Sequence, residues 1–219
     1  MRDSRQEKRG IKKRKEKRII FLCVEGKTNK TEKIYFNHFN SVQDVYRVHF
    51  IQGNETDPLG MLKATKKELQ QNGRKKNDLV FLVLDLDNNP SKAKTVLEAK
   101  KEADKFNIHI ILSNPCFEVW FLEHFIKTSK YFEKSDNVIS ELKKHIPNYT
   151  KNMDVFPLLQ NKTNVAIRNC RYLEERINKK RYIRFYSQKP KHRHLPNHRN
   201  NIEQRINFLK SLRYNSLRH

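Results

Sequence analysis

Three short, unbroken apolar runs constrain this chain more than any other feature: IIFLCV at 19–24, LVFLVL at 79–84 and IHIIL at 108–112. Continuous rather than alternating hydrophobicity belongs to strands buried on both faces, the usual state of parallel strands whose crossover helices cover the sheet from both sides. A weaker, alternating run, VYRVHFI at 45–51, is a fourth candidate strand. Helical patterns separate the runs. After Thr31, the residues Ile34, Tyr35 and Phe39 keep to one face. TDPLGMLKATKKELQQNG carries a cap at Asp57, Pro58 at the first helical position and Asn72-Gly73 as a stop. SKAKTVLEAKKEADKF reads as a surface helix opened by Ser91. The order β-α-β-α-β-α-β predicts a doubly wound parallel sheet of about four strands over residues 19–112, with flanking helices.

Downstream, NPCFEVWFLEHF predicts a helix capped by Asn114, entered through Pro115 and apolar on almost every side, hence buried. SDNVISELKKHI, KTNVAIRNCRYLEERINKK and NNIEQRINFLKSL predict further helices, with the basic, proline-containing RYIRFYSQKPKHRHLPNHRN between the last two as a loop or short hairpin. Three divisions follow: a basic, disordered arm at 1–18, an α/β core at 19–127, and a mainly helical basic extension at 128–219.

Charge enters through its distribution. The chain has 219 residues and a net charge of +23. Residues 1–18 hold ten Lys/Arg against three acids, and residues 160–219 hold sixteen against three, which leaves the stretch between them nearly balanced. Blocks of like charge attract a polyanion, and nucleic acid is the commonest one. The basic C-terminal third interleaves Arg168, Arg171, Arg181, Arg184 and Arg193 with Tyr172, Tyr182, Phe185 and Tyr186, a combination that can hold phosphates and stack on bases. A solubilising tail is the plainer reading of the N-terminal arm. No amphipathic helix joins a basic face to a broad apolar one, and no run approaches membrane-spanning length, so no membrane partner is expected. Cys23, Cys116 and Cys170 lie far apart in apolar contexts, which fits a reducing cytoplasm without disulfides or a zinc knuckle.

The stretch LCVEGKTNKTEKIYF at 22–36 has the strand, Gly-Lys-Thr and helix order of a phosphate-binding loop. That loop needs a first glycine five residues earlier so that its backbone can wrap the phosphates, and Phe21 stands there instead. Glu25 would also repel the anion. The match is fortuitous, which leaves the glutamate at the end of a strand to be explained.

Parallel α/β sheets gather their chemistry outside the carboxyl ends of the strands. Glu25 ends the first run, and Asp85 and Asp87, in VLDLDNNP, end the third. Two aspartates two apart on a strand share a face and could reach one cation, for which Mg²⁺ is the natural choice beside phosphate because it takes only one or two carboxylates directly. Acids after a strand also serve as turn formers. A haloacid-dehalogenase-type phosphatase would place its D-x-D after the first strand, and a nucleotide-sugar transferase would not account for the basic C-terminal third. Glu118, set among Asn114, Pro115, Phe121 and Leu122, is expected to be buried and to need a cation, an Arg/Lys partner or a proton. His124 reads as a core histidine, and H-R-H-L-P-N-H at 192–198 as a solvated basic loop rather than a zinc site.

EGKTNKTEKIYF, VLDLDNNP and SNPCFEVWFLEHF, in that order and spacing, resemble the RloB family over roughly residues 18–178. The resemblance implies a Toprim-like fold and a part in bacterial phage defence by abortive infection, often beside an ABC/AAA-type ATPase. It implies that Glu25 is the Toprim glutamate and that Asp85 and Asp87 are its metal pair. Two extra residues before Thr31-Glu32, relative to the shorter E-G-x-x-T-E form, leave Glu32 without an assigned role. Tyr149 and Lys151 match the family too loosely to carry one.

Together these readings give an expectation: a nuclease dependent on Mg²⁺ or Mn²⁺, acting on RNA (tRNA included) or DNA. Glu25 is its acid/base, Asp85 and Asp87 its metal ligands with Glu25, Glu118 a supporting acid and Lys27 a phosphate contact. The rival expectation is a non-catalytic nucleic-acid-binding or adaptor subunit.

Overall fold

The computed structural model describes residues 17–25, 31–40, 46–53, 55–173 and 176. Lys27, Arg181, Arg184, Arg193, the histidine-rich segment at 192–198 and almost all of the basic arm lie outside these residues.

Four strands form one parallel sheet: β1 (Arg18–Val24), β2 (Tyr46–Phe50), β3 (Leu79–Asp85) and β4 (His109–Ser113), in the order β2-β1-β3-β4. The α/β class and the four parallel strands are those expected from the apolar runs. β1 and β3 are central and buried along nearly their whole length, while β2 is the alternating edge strand. The chain leaves β1 towards one edge and later returns to β3 on its other side. Winding therefore reverses between β1 and β3, whose register pairs Val24 with Val83 at the carboxyl end.

The helices divide by face. α1 (Thr31–Asn37) and α4 (Glu118–Leu122) bury Tyr35, Phe36, Trp120, Phe121 and Leu122 in one core with Ile20, Leu22, Val24, Phe81 and Val83. α2 (Pro58–Asn72) and α3 (Pro90–Lys105) place Met61, Leu62, Val96, Ala99 and Ala103 against Phe21, Cys23, Val80, Leu82 and Leu84. Odd and even strand positions thus enter different cores, as a pleat of period two requires. α5 (Ser135–Lys143), α6 (Phe156–Leu159), the 3₁₀ turn at Gln160–Lys162 and helical residues 163–173 follow. Val138, Leu142, Tyr149, Leu159, Ala166 and Cys170 join the first core, so these later helices pack on the same face as α1 and α4.

The ends of α2 are as expected: Asp57 Oδ1 accepts from Gly60 N at 2.8 Å, Pro58 opens the helix, and Gly73 closes it at φ +70°, a conformation glycine adopts without a Cβ clash. α3 differs by two residues at its start. Its cap is Asn89, which accepts from Ser91 N at 2.9 Å and Lys92 N at 3.2 Å, and Pro90 takes the first helical position, leaving Ser91 inside.

α4 is also shorter than its sequence pattern. It begins at Glu118, without a side-chain cap, and Asn114 does not open it. The Asn114–Pro115 peptide is cis, and the Asn114 amide instead pairs with Asn88: Asn88 N donates to Oδ1 at 3.0 Å and Nδ2 donates to Asn88 Oδ1 at 2.6 Å. Asn114 therefore ties the β4 exit to the β3 exit rather than capping a helix.

Candidate functional site

The carboxyl ends of β1 and β3 are adjacent, so the residues that follow Val24 and Val83 are brought together by the sheet itself. Glu25 leaves β1 and its Oε2 accepts the Asp85 backbone N–H at 3.2 Å. Asp85 is the last residue of β3. Its side chain falls in the series Phe81, Val83, Asp85, on the face that receives α1 and α4.

That face supplies more acids. Glu32, in the first turn of α1, and Glu118, the first residue of α4, are both buried, at 7% and 3% exposure. The Tyr149 hydroxyl, on a side chain with no exposed surface, donates to Glu118 Oε1 at 3.1 Å. Glu118 thus has a phenol rather than an Arg or Lys as its partner. The Cys116 thiol and the Tyr149 phenol are both pushed up, first by burial and then by the Glu118 charge, so both stay neutral donors beside it.

Asp85 feels the whole group. Burial raises its carboxyl pKa, and the charges of Glu32, Glu118 and Glu25, in that order, raise it further to about 8, with partial relief from the Phe117 backbone N–H. Its Oδ1 is shut off from solvent and has no hydrogen-bond partner among the described residues. A buried, partnerless carboxylate oxygen amid three other carboxylates is costly unless it takes a proton or a cation.

Asp87 does not share the strand face with Asp85. β3 ends at Asp85, and Asp87 and Asn88 both take left-handed conformations, φ 52° and 50°, which Asp and Asn tolerate better than most residues. This tight turn swings the Asp87 carboxylate towards α3. There Lys92 Nζ donates to Asp87 Oδ2 at 2.9 Å and to both oxygens of Glu25 at 2.8 and 2.9 Å. Burial disfavours the Lys92 charge, but the bonds to Glu25 and Asp87 outweigh it and hold the ammonium above the usual lysine range. Glu25, Asp85 and Asp87 therefore meet at one rim. Glu25 touches both aspartates' surroundings: the Asp85 backbone directly, and Asp87 through a shared ammonium.

Among the described residues, no group of three or more His, Cys, Asp or Glu side chains could hold a metal ion as it stands. The rim still fits a Mg²⁺-like ion, which takes one or two carboxylates and keeps its waters. Asp85 Oδ1, without a partner among the described residues, is an available ligand atom, and Lys92 marks a point where carboxylates already gather around a positive charge.

Four residues that sequence reasoning left without a role belong to this site: Glu32, Tyr149, Cys116 and Lys92. Glu32 had a signal, an acid in the first turn of the helix that follows Glu25. Tyr149 lies 31 residues from Glu118 and Lys92 lies 67 from Glu25, so neither of those pairings is local, although Lys92 is only five residues from Asp87.

Elsewhere, His124 is a core histidine, 2% exposed, with Nδ1 2.8 Å from the Trp120 carbonyl oxygen, which can only accept. Arg168 and Arg171 are exposed on the helical residues 163–173. The Tyr172 ring, expected to stack on bases, is covered by Lys127 at 4.1 Å and by Arg176 at 5.8 Å. Among the described residues no helix is long and apolar enough to cross a membrane.

A family model described as RloB-like protein matches residues 20–206. No curated protein and no solved structure matches the chain.

Proposed function

The chain belongs to the RloB-like family, and from that premise we propose that it is a metal-dependent Toprim-type endonuclease, the cytoplasmic effector of a bacterial anti-phage abortive-infection system, acting on RNA, tRNA included, or on DNA. The observation that carries this reading is the meeting of Glu25 and Asp85 at the winding reversal between β1 and β3, where burial first, and then the charges of Glu32 and Glu118, push the Asp85 carboxyl up to about 8. An acidic pocket at the switch point of a parallel sheet, in a chain of net charge +23, is useful to an anionic substrate only when a cation lies between them.

Asp85 and Glu25 would hold Mg²⁺ or Mn²⁺, with Asp87 as a third ligand if its turn reorients. A divalent ion bound there supplies charge stabilisation at the phosphoryl oxygens and a water of lowered pKa. Asp85 must first surrender its proton to serve as a ligand. Glu25, at the lip of the rim with its side chain 17% exposed, is the carboxylate placed to move a proton at the attacking or leaving oxygen. Glu118 is fixed from behind by the Tyr149 hydroxyl and supports Asp85. The basic C-terminal third, including Arg168 and Arg171, holds the polyanion, and a partner ABC/AAA-type ATPase controls access.

The test is cleavage of tRNA, single-stranded RNA and plasmid DNA in Mg²⁺ or Mn²⁺, with and without a candidate partner ABC/AAA-type ATPase. Wild type is expected to cut, and Asp85→Asn to cut about a thousandfold more slowly, the size of effect that several kcal/mol of lost metal stabilisation gives. Equal cutting by the two would overturn the assignment. One observation favours the second reading, a non-catalytic nucleic-acid-binding subunit: the Lys92 ammonium already gives Glu25 and Asp87 a shared positive partner. Nucleic-acid binding that ignores divalent ions, with no cutting even beside the ATPase, would decide for it.

A further inference from the structure

Lys92 stands in the first turn of α3, its backbone N–H held by the Asn89 cap, and its side chain is only 13% exposed. Its ammonium spends all three of its donors on the acidic rim: two on the oxygens of Glu25, at 2.8 and 2.9 Å, and one on Asp87 Oδ2 at 2.9 Å. Three other lysines among the described residues give the contrast. Lys66, Lys100 and Lys144 each pair with a single acid, Glu102, Asp104 and Glu141 respectively.

Lys92 engages both oxygens of Glu25 and one of the two of Asp87, carboxylates from which a divalent ion would also draw its ligands. One carboxylate oxygen cannot present the same lone pair to an ammonium and to a metal, and the two positive charges repel at such a distance. We propose that Lys92 is a built-in counter-ion of the acidic rim, a positioning residue that holds Glu25 and Asp87 together in the metal-free chain and competes with the divalent cation for them. This inference rests on the metal-dependent reading above and deepens it. Metal occupancy becomes an exchange of one cation for another, and the affinity for the metal is set below what the carboxylates alone would give. When the ion enters, the ammonium turns outward, where it stays tethered to the rim.

Two measurements on the whole chain test this. The first is Mn²⁺ binding, followed by calorimetry and by the electron-paramagnetic signal of free Mn²⁺, for wild type, Lys92→Met, Lys92→Arg and Asp85→Asn. Lys92→Met is expected to bind Mn²⁺ at least about tenfold more tightly, the scale on which a nearby like charge shifts an ion-binding equilibrium. Lys92→Arg keeps the charge and is expected to stay within about threefold of wild type, and Asp85→Asn to lose binding. A role confined to fold stability would weaken metal binding in Lys92→Met, not strengthen it.

The second measurement needs no variant. Wild type is acetylated with an N-hydroxysuccinimide ester in EDTA and in saturating Mn²⁺, and peptides are quantified by mass spectrometry. Lys92 is expected to react several-fold faster with Mn²⁺ bound, while exposed Lys105 does not change. If wild type binds Mn²⁺ but Lys92→Met binds no tighter, or Lys92 labelling ignores the metal, the counter-ion role is overturned and the nuclease reading stands. If neither wild type nor Lys92→Met binds Mn²⁺ at all, both fall together.

Discussion

The face of the sheet that receives α1 and α4 is filled with rings, Tyr35, Phe36, Phe117, Trp120, Phe121 and Tyr149, whereas the face under α2 and α3 is filled with Met61, Leu62, Val96, Ala99 and Ala103. Small residues such as Ala99 and Ala103 let α3 lie close on the strands. Large rings meet edge to face and tilted, with centroids between 5.3 and 6.5 Å around Tyr35, and leave the irregular spaces in which Glu32, Glu118 and the Tyr149 hydroxyl are buried. Both faces end at the same rim, and each neutralises its acids differently. On the aromatic side burial and the neighbouring carboxylates push the Asp85 carboxyl up to about 8, which favours its protonated form, while towards α3 Glu25 and Asp87 share the Lys92 ammonium.

The largest break in this comparison comes from emptying the aromatic side. Trp120→Ala removes the largest fully buried side chain and is expected to cost about 3–5 kcal/mol in urea or guanidinium unfolding. A loss under about 1 kcal/mol would mean that the rings are not the main packing of that face.

A smaller effect separates the two modes of neutralisation. In EDTA, native Asp85 holds its proton to about pH 8, while in the unfolded chain an aspartate releases it near the usual 3.9. Between these values the native state binds more protons than the unfolded one. Stability therefore falls as pH rises through that window, by on the order of 2–4 kcal/mol once relaxation of the site is allowed for. Below pH 4 the contribution is constant. Unfolding curves from pH 4 to 8 should show the fall in wild type and a flatter profile in Asp85→Asn, which should also be the more stable protein at pH 8. A wild-type profile as flat as that of the variant would show that Asp85 is ionised throughout.

The smallest effect probes the aliphatic side, where the cover is a surface helix held at its ends. Asp57→Ala removes the carboxylate that accepts from Gly60 N and is expected to cost about 1 kcal/mol with no change in that pH profile. A pH profile that moved with Asp57 would show that the two sides are not independent.

Much of the scaffold was legible from residue order. Continuous apolar runs gave β1, β3 and β4, and Asp57, Pro58 and Gly73 gave the limits of α2, because a strand buried on both faces and a capped helix are each written within a dozen residues. The start of α3 was misjudged by two residues because Asn89 and Ser91 are both good caps and only the backbone decides between them. The start of α4 was misjudged because the Asn114 amide is engaged by Asn88 across the rim. Asp85 and Asp87 were expected on one face, a rule that holds only while the strand continues, and β3 stops between them.

The sequence by itself determined that acids would stand at the ends of buried strands, since strand ends and charges are local facts. Only the tertiary structure decided which acids meet and what neutralises them. Lys92 reaches Glu25 across 67 positions and Tyr149 reaches Glu118 across 31. Such pairings follow from strand order and from the face on which each helix lands, and no local pattern of residues encodes either.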